Sequence, residues 1–187
     1  YMSARRREDS RFLTGGGSFV ANSNLDQQAY AKVVRSPHGH AYIKSINIEE
    51  AIKLDGVVAV LTGADLETDL IGPLPCTTQF PATLPIVSTK RLALAVGRVR
   101  HVGDPVVFVV AKSNEIACAA VELIQIEYDP IPPVVEVMDA LRPGSQSIWE
   151  TAPDNIAYRF AKGEKEEVKK AITDAHYVAE LELSLIH

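Results

Sequence analysis

His38 and His40 flank Gly39, a spacing that on an extended strand turns both imidazoles to one face. Two ring nitrogens can begin a zinc shell, but no Cys and no second His/Glu cluster stands near in sequence to complete it. The pattern favours hydrogen bonding at a loop tip over a metal site. His101, close to Arg98 and Arg100, sits where a general base would serve, yet no orienting partner is visible for it. Gly103-Asp104-Pro105 reads as turn chemistry rather than as an acid catalyst. Thr14-Gly15-Gly16-Gly17 offers backbone N–H groups to a phosphate, but no Lys-Ser/Thr follows and no strand-then-helix frame encloses it. A flexible turn is the favoured reading. Cys76 lies in a proline-rich run without a histidine or cationic cluster to lower its pKa, so a nucleophile there lacks its activator. Arg5, Arg6, Arg7 and Arg11 interleave with Glu8 and Asp9, the pattern of a docking or ion-pairing arm. Trp149 reads as a core or interface anchor. No residue of the chain is assigned a catalytic, cofactor-binding or metal-ligating role.

The elements that position these residues follow from periodicity and turn chemistry. Gln28 to Arg35 is a predicted strand stopped by Ser36-Pro37, and Tyr42 to Ile48 is a second. Glu49 to Leu54 is a short predicted helix closed by Asp55-Gly56, and Val57 to Leu61 is a β-rich apolar run too short to be a helix on its own, which predicts a strand. Gly72 to Pro85 carries Pro73, Pro75, Pro81 and Pro85 and little apolar periodicity, an irregular excursion of the kind that contacts partners. Val106 to Ala111 is apolar on both faces, the signature of a buried strand. Ile116, Ala119, Ala120 and Leu123 recur at helical spacing behind Ser113 as N-cap, with Cys118 in the same helix as a small hydrophobe. Ile124, Ile126 and Tyr128 alternate with Gln125 and Glu127 up to Asp129-Pro130. A domain boundary is expected near residues 142 to 150, around Arg142-Pro143-Gly144. Beyond it, Ile156, Tyr158 and Phe160 alternate as a strand. Val168, Ala171, Ile172 and Ala175 line one helical face, with the charge run Glu164 to Lys170 as its solvated side. From Tyr177 to Leu185 the alternation predicts a final strand that stops at His187 without a turn, which implies neighbours missing from this stretch.

The 187 residues suffice for one domain or for one domain and the start of another. A hydrophobic fraction of 47% and a charged fraction of 23% exclude a disordered or collagen-like chain. A net charge of −5 is opposite in sign to a nucleic-acid binder, so no nucleic-acid partner is expected. The longest apolar run, Val106 to Ala111, is far short of the roughly 20 residues of a membrane span. Two cysteines, Cys76 and Cys118, fit a reducing cytoplasm. Met2 reads as the native start with Tyr1 ahead of it. Residues alone thus lead to an α+β or α/β domain without a convincing active site.

A wider pattern adds to this. Arg7-Glu8-Asp9-Ser10-Arg11-Phe12-Leu13-Thr14-Gly15-x-Gly17, then Val34-Arg35-Ser36-Pro37-His38-Gly39-His40-Ala41, then Gly56 to Leu66 (GVVAVLTGADL), resemble the molybdenum-binding large subunit of the xanthine dehydrogenase, aldehyde oxidase and carbon monoxide dehydrogenase family. Val102 to Val106, Ala117 to Pro133 and Asn155 to Leu183 are similar to the same family, so the resemblance runs over nearly the whole chain. Gly16 stands where the family often has a basic residue, and Asp104 where it commonly has Glu. The resemblance implies an α+β fold: an α/β-hammerhead domain over 1–142, then the beginning of the first molybdopterin-binding domain over 143–187.

For the full-length protein it implies oxidative hydroxylation of an aldehyde or N-heterocycle, or oxidation of carbon monoxide. The cofactor would be molybdopterin, as such or as its cytosine dinucleotide. Electrons would pass to iron–sulfur clusters and FAD carried on partner subunits. The pterin-holding residues and the general-base glutamate are implied beyond this chain's end, so the 187 residues alone are expected to hold no cofactor and to be inactive. The alternative reading is a non-catalytic assembly module docking a partner subunit through Gly72 to Pro85. An independent small-molecule binding protein would need a closed pocket within the chain. Substrate choice, pterin form and oligomeric state are not carried by these residues.

Overall fold

A computed structural model describes residues 6–20, 23–75 and 86–181. The fold is α+β. The described residues of Tyr1–Cys76 and Lys90–Val135 form one compact unit, and those of Thr77–Thr89 and Glu136–His187 form another. In the first unit the chain order is α1 (Asp9–Leu13), β1 (Tyr30–Arg35), β2 (Ala41–Asn47), α2 (Glu49–Lys53), β3 (Val57–Thr62), α3 (Gly63–Thr68), β4 (Arg98–Val99), β5 (Pro105–Ala111), α4 (Asn114–Glu122) and β6 (Gln125–Pro130). The second unit carries α5 (Val137–Ala140) and α6 (Lys165–Asp174).

Two antiparallel sheets make up the first unit. In one, β5 runs between β1 and β3, with Phe108 opposite both Val33 and Leu61. The central place explains the sequence of β5: both faces are covered, so Val106, Val107, Val109 and Ala111 are fully buried. Pro105 is tolerated at the first position, where a missing donor costs least. In the other sheet β2 lies between β4 and β6, and Ile46 faces Ile126 while Ile43 faces Tyr128. The alternation in β6 puts Ile126 and Tyr128 inward and leaves Gln125 and Glu127 exposed. Both sheets and two helices contribute to one core of Ala41, Ala51, Val60, Val99, Val106, Val107, Val109 and Ala120.

Helix α4 is opened by Ser113, whose Oγ accepts the Ile116 N–H at 3.3 Å. Its buried residues are Ala117 and Ala120. Ala119 and Leu123, expected on the inner face, are exposed instead, and so is Cys118. The reason is size: the two alanines let the helix settle on the sheets with a stripe turned one residue from the one that the larger apolar side chains mark. Gly56, at φ +87°, closes the α2–β3 turn, where a Cβ would meet Ile116 Cδ1 at 2.6 Å.

Several short elements were not expected from the sequence: α1, α3, β4 and α5. Two expected strands are corrected. Residues 156–160 form no strand, and neither do 177–181; the remainder of the second alternating run lies outside the described residues. An alternating pattern needs a ladder partner, and among the described residues of the second unit none is a strand. Helix α6 forms as its periodicity requires, but it buries nothing, and Val168 and Ile172 are each 54% exposed. Of the proline-rich excursion, 72–75 have no regular structure and 76–85 lie outside the described residues.

Candidate functional site

A cluster of polar side chains gathers where three loops of the first unit meet: the His38-Gly39-His40 turn between β1 and β2, the segment from β4 into β5, and the chain leaving β6. Backbone bonds fasten them. Ser36 N–H donates to the Asp104 carbonyl at 2.9 Å, Gly103 N–H to the Ser36 carbonyl at 2.8 Å, and Ile131 N–H to the His40 carbonyl at 2.9 Å. Arg35 Nη1 adds a bond to the Gly103 carbonyl at 2.9 Å. Gly39 permits the close approach, since a Cβ there would stand 3.1 Å from Pro133 Cβ. Ser36 Oγ ties the turn internally, accepting from His38 N–H and donating to its carbonyl, both at 3.0 Å.

His40 is 1% exposed and Arg98 7%. Arg98 Nε donates to His40 Nε2 at 2.6 Å. A guanidinium has only donors, so Nε2 must present its lone pair and the imidazole must be neutral with its proton on Nδ1. That Nδ1 is buried with no hydrogen-bond partner, and so is the Tyr128 hydroxyl. Burial, then the Arg98 charge, hold the His40 pKa below the ordinary imidazole value against a weaker pull from the Pro132 carbonyl. Burial likewise pushes the Tyr128 phenol up, a Ser36 contact opposing it. Around this pair, the His38 ring stands edge-on to Tyr128 at 4.9 Å between centroids, and the Arg98 guanidinium lies 5.5 Å over the Tyr42 ring.

The two histidines of the turn are thus parted. His38 packs on an aromatic ring, and His40 spends its lone pair on arginine. Among the described residues no group of three or more His, Cys, Asp and Glu is placed to hold a metal ion. His101 does have an orienting group that sequence reasoning missed: Asp104 Oδ2 lies 3.6 Å from its Nδ1 and accepts Arg100 N–H at 2.9 Å. The i, i+3 spacing was the available signal; the turn geometry of Gly103, at φ +85°, is what folds the carboxylate back. The Arg98–His40 pair had no local signal, because its members are 58 residues apart.

The remaining candidates fall elsewhere. Thr14 to Gly16 close α1: Gly15 N–H donates to the Phe12 carbonyl at 3.2 Å and Gly16 N–H to the Arg11 carbonyl at 2.8 Å, while Thr14 Oγ1 donates to the Ser10 carbonyl at 2.8 Å. Those N–H groups are committed to a helix C-terminus and are not presented to a phosphate. Arg11 lies over the Phe12 ring. Trp149 is half-buried in the second unit, in a turn where it bridges to Ala152 and where Ser147 Oγ donates to its carbonyl at 2.6 Å. Asn155 stitches that turn, accepting from Ile148 N–H at 2.9 Å and donating to the Gln146 and Ala140 carbonyls. Cys76 and Arg5 lie outside the described residues. One cavity of the first unit, lined by Gly63, Leu66, Ile71 and Leu94 among others, has about 10 Å³, room for a single water. The Arg98–His40 junction is therefore a fastening between loops, its central pair buried.

Known proteins resemble this chain in sequence and fold. Residues 14–132 match the family model described as aldehyde oxidase and xanthine dehydrogenase, a/b hammerhead domain. The carbon monoxide dehydrogenase large chain of Afipia carboxidovorans is 33% identical over 94% of this chain and 22% of its own length. The nicotine 6-hydroxylase large subunit of Paenarthrobacter nicotinovorans is 35% identical over 92% of this chain and 20% of its own. The crystal structure of quinoline 2-oxidoreductase from Pseudomonas putida 86 superposes with a TM-score of 0.65 at 38% identity, covering 78% of this chain and 18% of that one. The chain thus spans about a fifth of the length of the relatives it matches.

Proposed function

The chain belongs to the aldehyde oxidase and xanthine dehydrogenase family, whose a/b hammerhead domain it carries, and on that premise we propose that it is the N-terminal part of the molybdopterin-binding catalytic subunit of a molybdenum hydroxylase. The complete subunit would oxidise carbon monoxide or hydroxylate an aldehyde or an N-heterocycle, passing electrons to iron–sulfur and FAD subunits in the cytoplasm. What carries the reading is coverage: similarity continues over nine-tenths of this chain, well past the hammerhead match, into proteins about five times as long. Residues 1–142 are then the hammerhead domain, and 143–187 open the first molybdopterin-binding domain.

The described residues do not fit the pterin. The Thr14–Gly16 N–H groups are used to end α1, and His40 Nε2 is taken by Arg98, with both members of that pair buried. The remainder of the subunit would hold the cofactor. In the described residues no helix is long and apolar enough to cross a membrane.

The test compares the 187-residue chain with the complete gene product. Metal analysis is paired with dye-coupled oxidation of carbon monoxide, aldehydes and purines. The expected result is molybdenum and turnover in the complete protein alone. Turnover by the 187 residues, or absence of molybdenum from an intact, partnered complex, would overturn the reading.

A further inference from the structure

The cluster at the loop junction carries a consequence for pH. We propose that His40 is an acid-sensitive latch: its neutral imidazole fastens the β1–β2 turn to β4 through Arg98, and protonation releases the junction while the sheets stay paired. Lone pairs decide the matter. Arg98 Nε–H has a bond at 2.6 Å only while Nε2 is bare. A proton on Nε2 converts that contact into two donors facing each other inside a site where both residues are almost wholly buried.

The charged and titratable groups at the junction come from every segment that meets there. Arg35 ends β1 with Nη1 on the Gly103 carbonyl, His38 belongs to the same turn as His40, Tyr42 lies in β2 beneath the Arg98 guanidinium, Arg98 and Arg100 belong to β4 and the residue after it, His101 and Asp104 to the turn into β5, and Tyr128 to β6. Arg98 and Arg100 oppose a cation at His40. Asp104 is committed to Arg100 N–H and faces His101, and the Tyr128 hydroxyl is orphaned. The imidazolium therefore finds its release in opening: with the turn undone, the ring reaches water and its ordinary pKa.

What the latch holds is defined by the backbone bonds across it. Ile131 N–H to His40, Gly103 N–H to Ser36 and Ser36 N–H to Asp104 join three loops. The ladder bonds of β5 lie outside that set. The opening is thus local, and exchange of those three amides reports it.

The experiment is hydrogen exchange on the complete subunit in its complex at about pH 7.5 and about pH 5.5, read as protection relative to intrinsic rates. With an ordinary imidazole value near 6.5 in the opened state, protection at Ser36, Gly103 and Ile131 is expected to fall over that interval, by about tenfold at most, the limit in which the closed junction takes up no proton, and protection in β5 to stay level. In His40→Gln, whose side-chain oxygen keeps an acceptor for Arg98 and does not titrate, the fall should vanish. An equal fall in the variant would overturn the proposal. If that variant does not fold, nitrogen-resolved NMR of the wild-type His40 ring decides alone. A ring bearing its proton on Nδ1 and staying neutral for as long as the junction is closed supports the latch; a proton on Nε2, or a cationic ring in the closed junction, overturns it.

Discussion

Asp65 shows how much a single side chain can contribute where β3 turns into α3. Its Oδ2 accepts both the Thr62 N–H, at 2.6 Å, and the Thr62 hydroxyl, at 2.7 Å. These bonds, the hydroxyl's first, hold the Asp65 carboxyl below its usual range. A depressed carboxylate contributes stability that is present above the ordinary aspartate pKa and is lost as pH falls through the folded value. Asp65→Ala is therefore expected to cost about 1 kcal/mol near neutral pH, the scale of a lost cap, with the difference from wild type shrinking below about pH 4. Denaturant titrations at both pH values measure it. Thr62-x-x-Asp65 is a readable signal for a helix start, yet Val57 to Leu61 was legible only as a strand, because the helix that follows is a bare six residues. At this scale the sequence names donors and acceptors but not their distant partners: His101 and Asp104 stand three residues apart, whereas Arg98 reaches His40 across the unit.

Among the elements, those with a strong period were legible and those made by context were not. β5 is legible because a run apolar on both faces suits only a covered strand, and α4 because Ser113 and the apolar spacing agree. β4 is two residues long and exists because β2 offers it a ladder, with Ala41 opposite Val99. α3 depends on a close approach. A Cβ on Gly63 would stand 2.7 Å from the Ala95 carbonyl oxygen and 2.5 Å from Val96 Cγ2, so backbone as well as side chain must give way. Gly63→Ala is expected to destabilise the chain by about 1–3 kcal/mol. Gly72→Ala, with nothing within 4 Å of its Cβ, should stay within about 0.5 kcal/mol. Parallel urea melts of the two variants separate close packing from the general effect of replacing glycine.

At the scale of the molecule, the two units differ in what their apolar residues do. The first buries valines and alanines of two sheets in one core. In the second, α6 has the amphipathic pattern but keeps Val168 and Ile172 half open to solvent. On the proposed assignment of 143–187, this helix belongs to a core completed by the rest of the subunit. Val168→Asp should then alter the stability of the 187-residue chain by less than about 0.5 kcal/mol, yet lower the yield of soluble, folded complete subunit. Equal behaviour in both proteins would remove α6 from any core and count against the assignment.

The sequence by itself determined the main strands, α4 and the family resemblance, and through that resemblance the choice of α+β over α/β, because periodicity, turn residues and ordered motifs are properties of neighbours along the chain. Tertiary structure alone decided the fate of the chemistry-bearing residues. It set the Thr14–Gly16 amides against helix carbonyls, parted His38 from His40, and left 156–160 and 177–181 without strand structure. Each of those outcomes turns on a partner supplied from elsewhere, and a donor, a lone pair or an alternating strand acquires its role only when such a partner is brought to it.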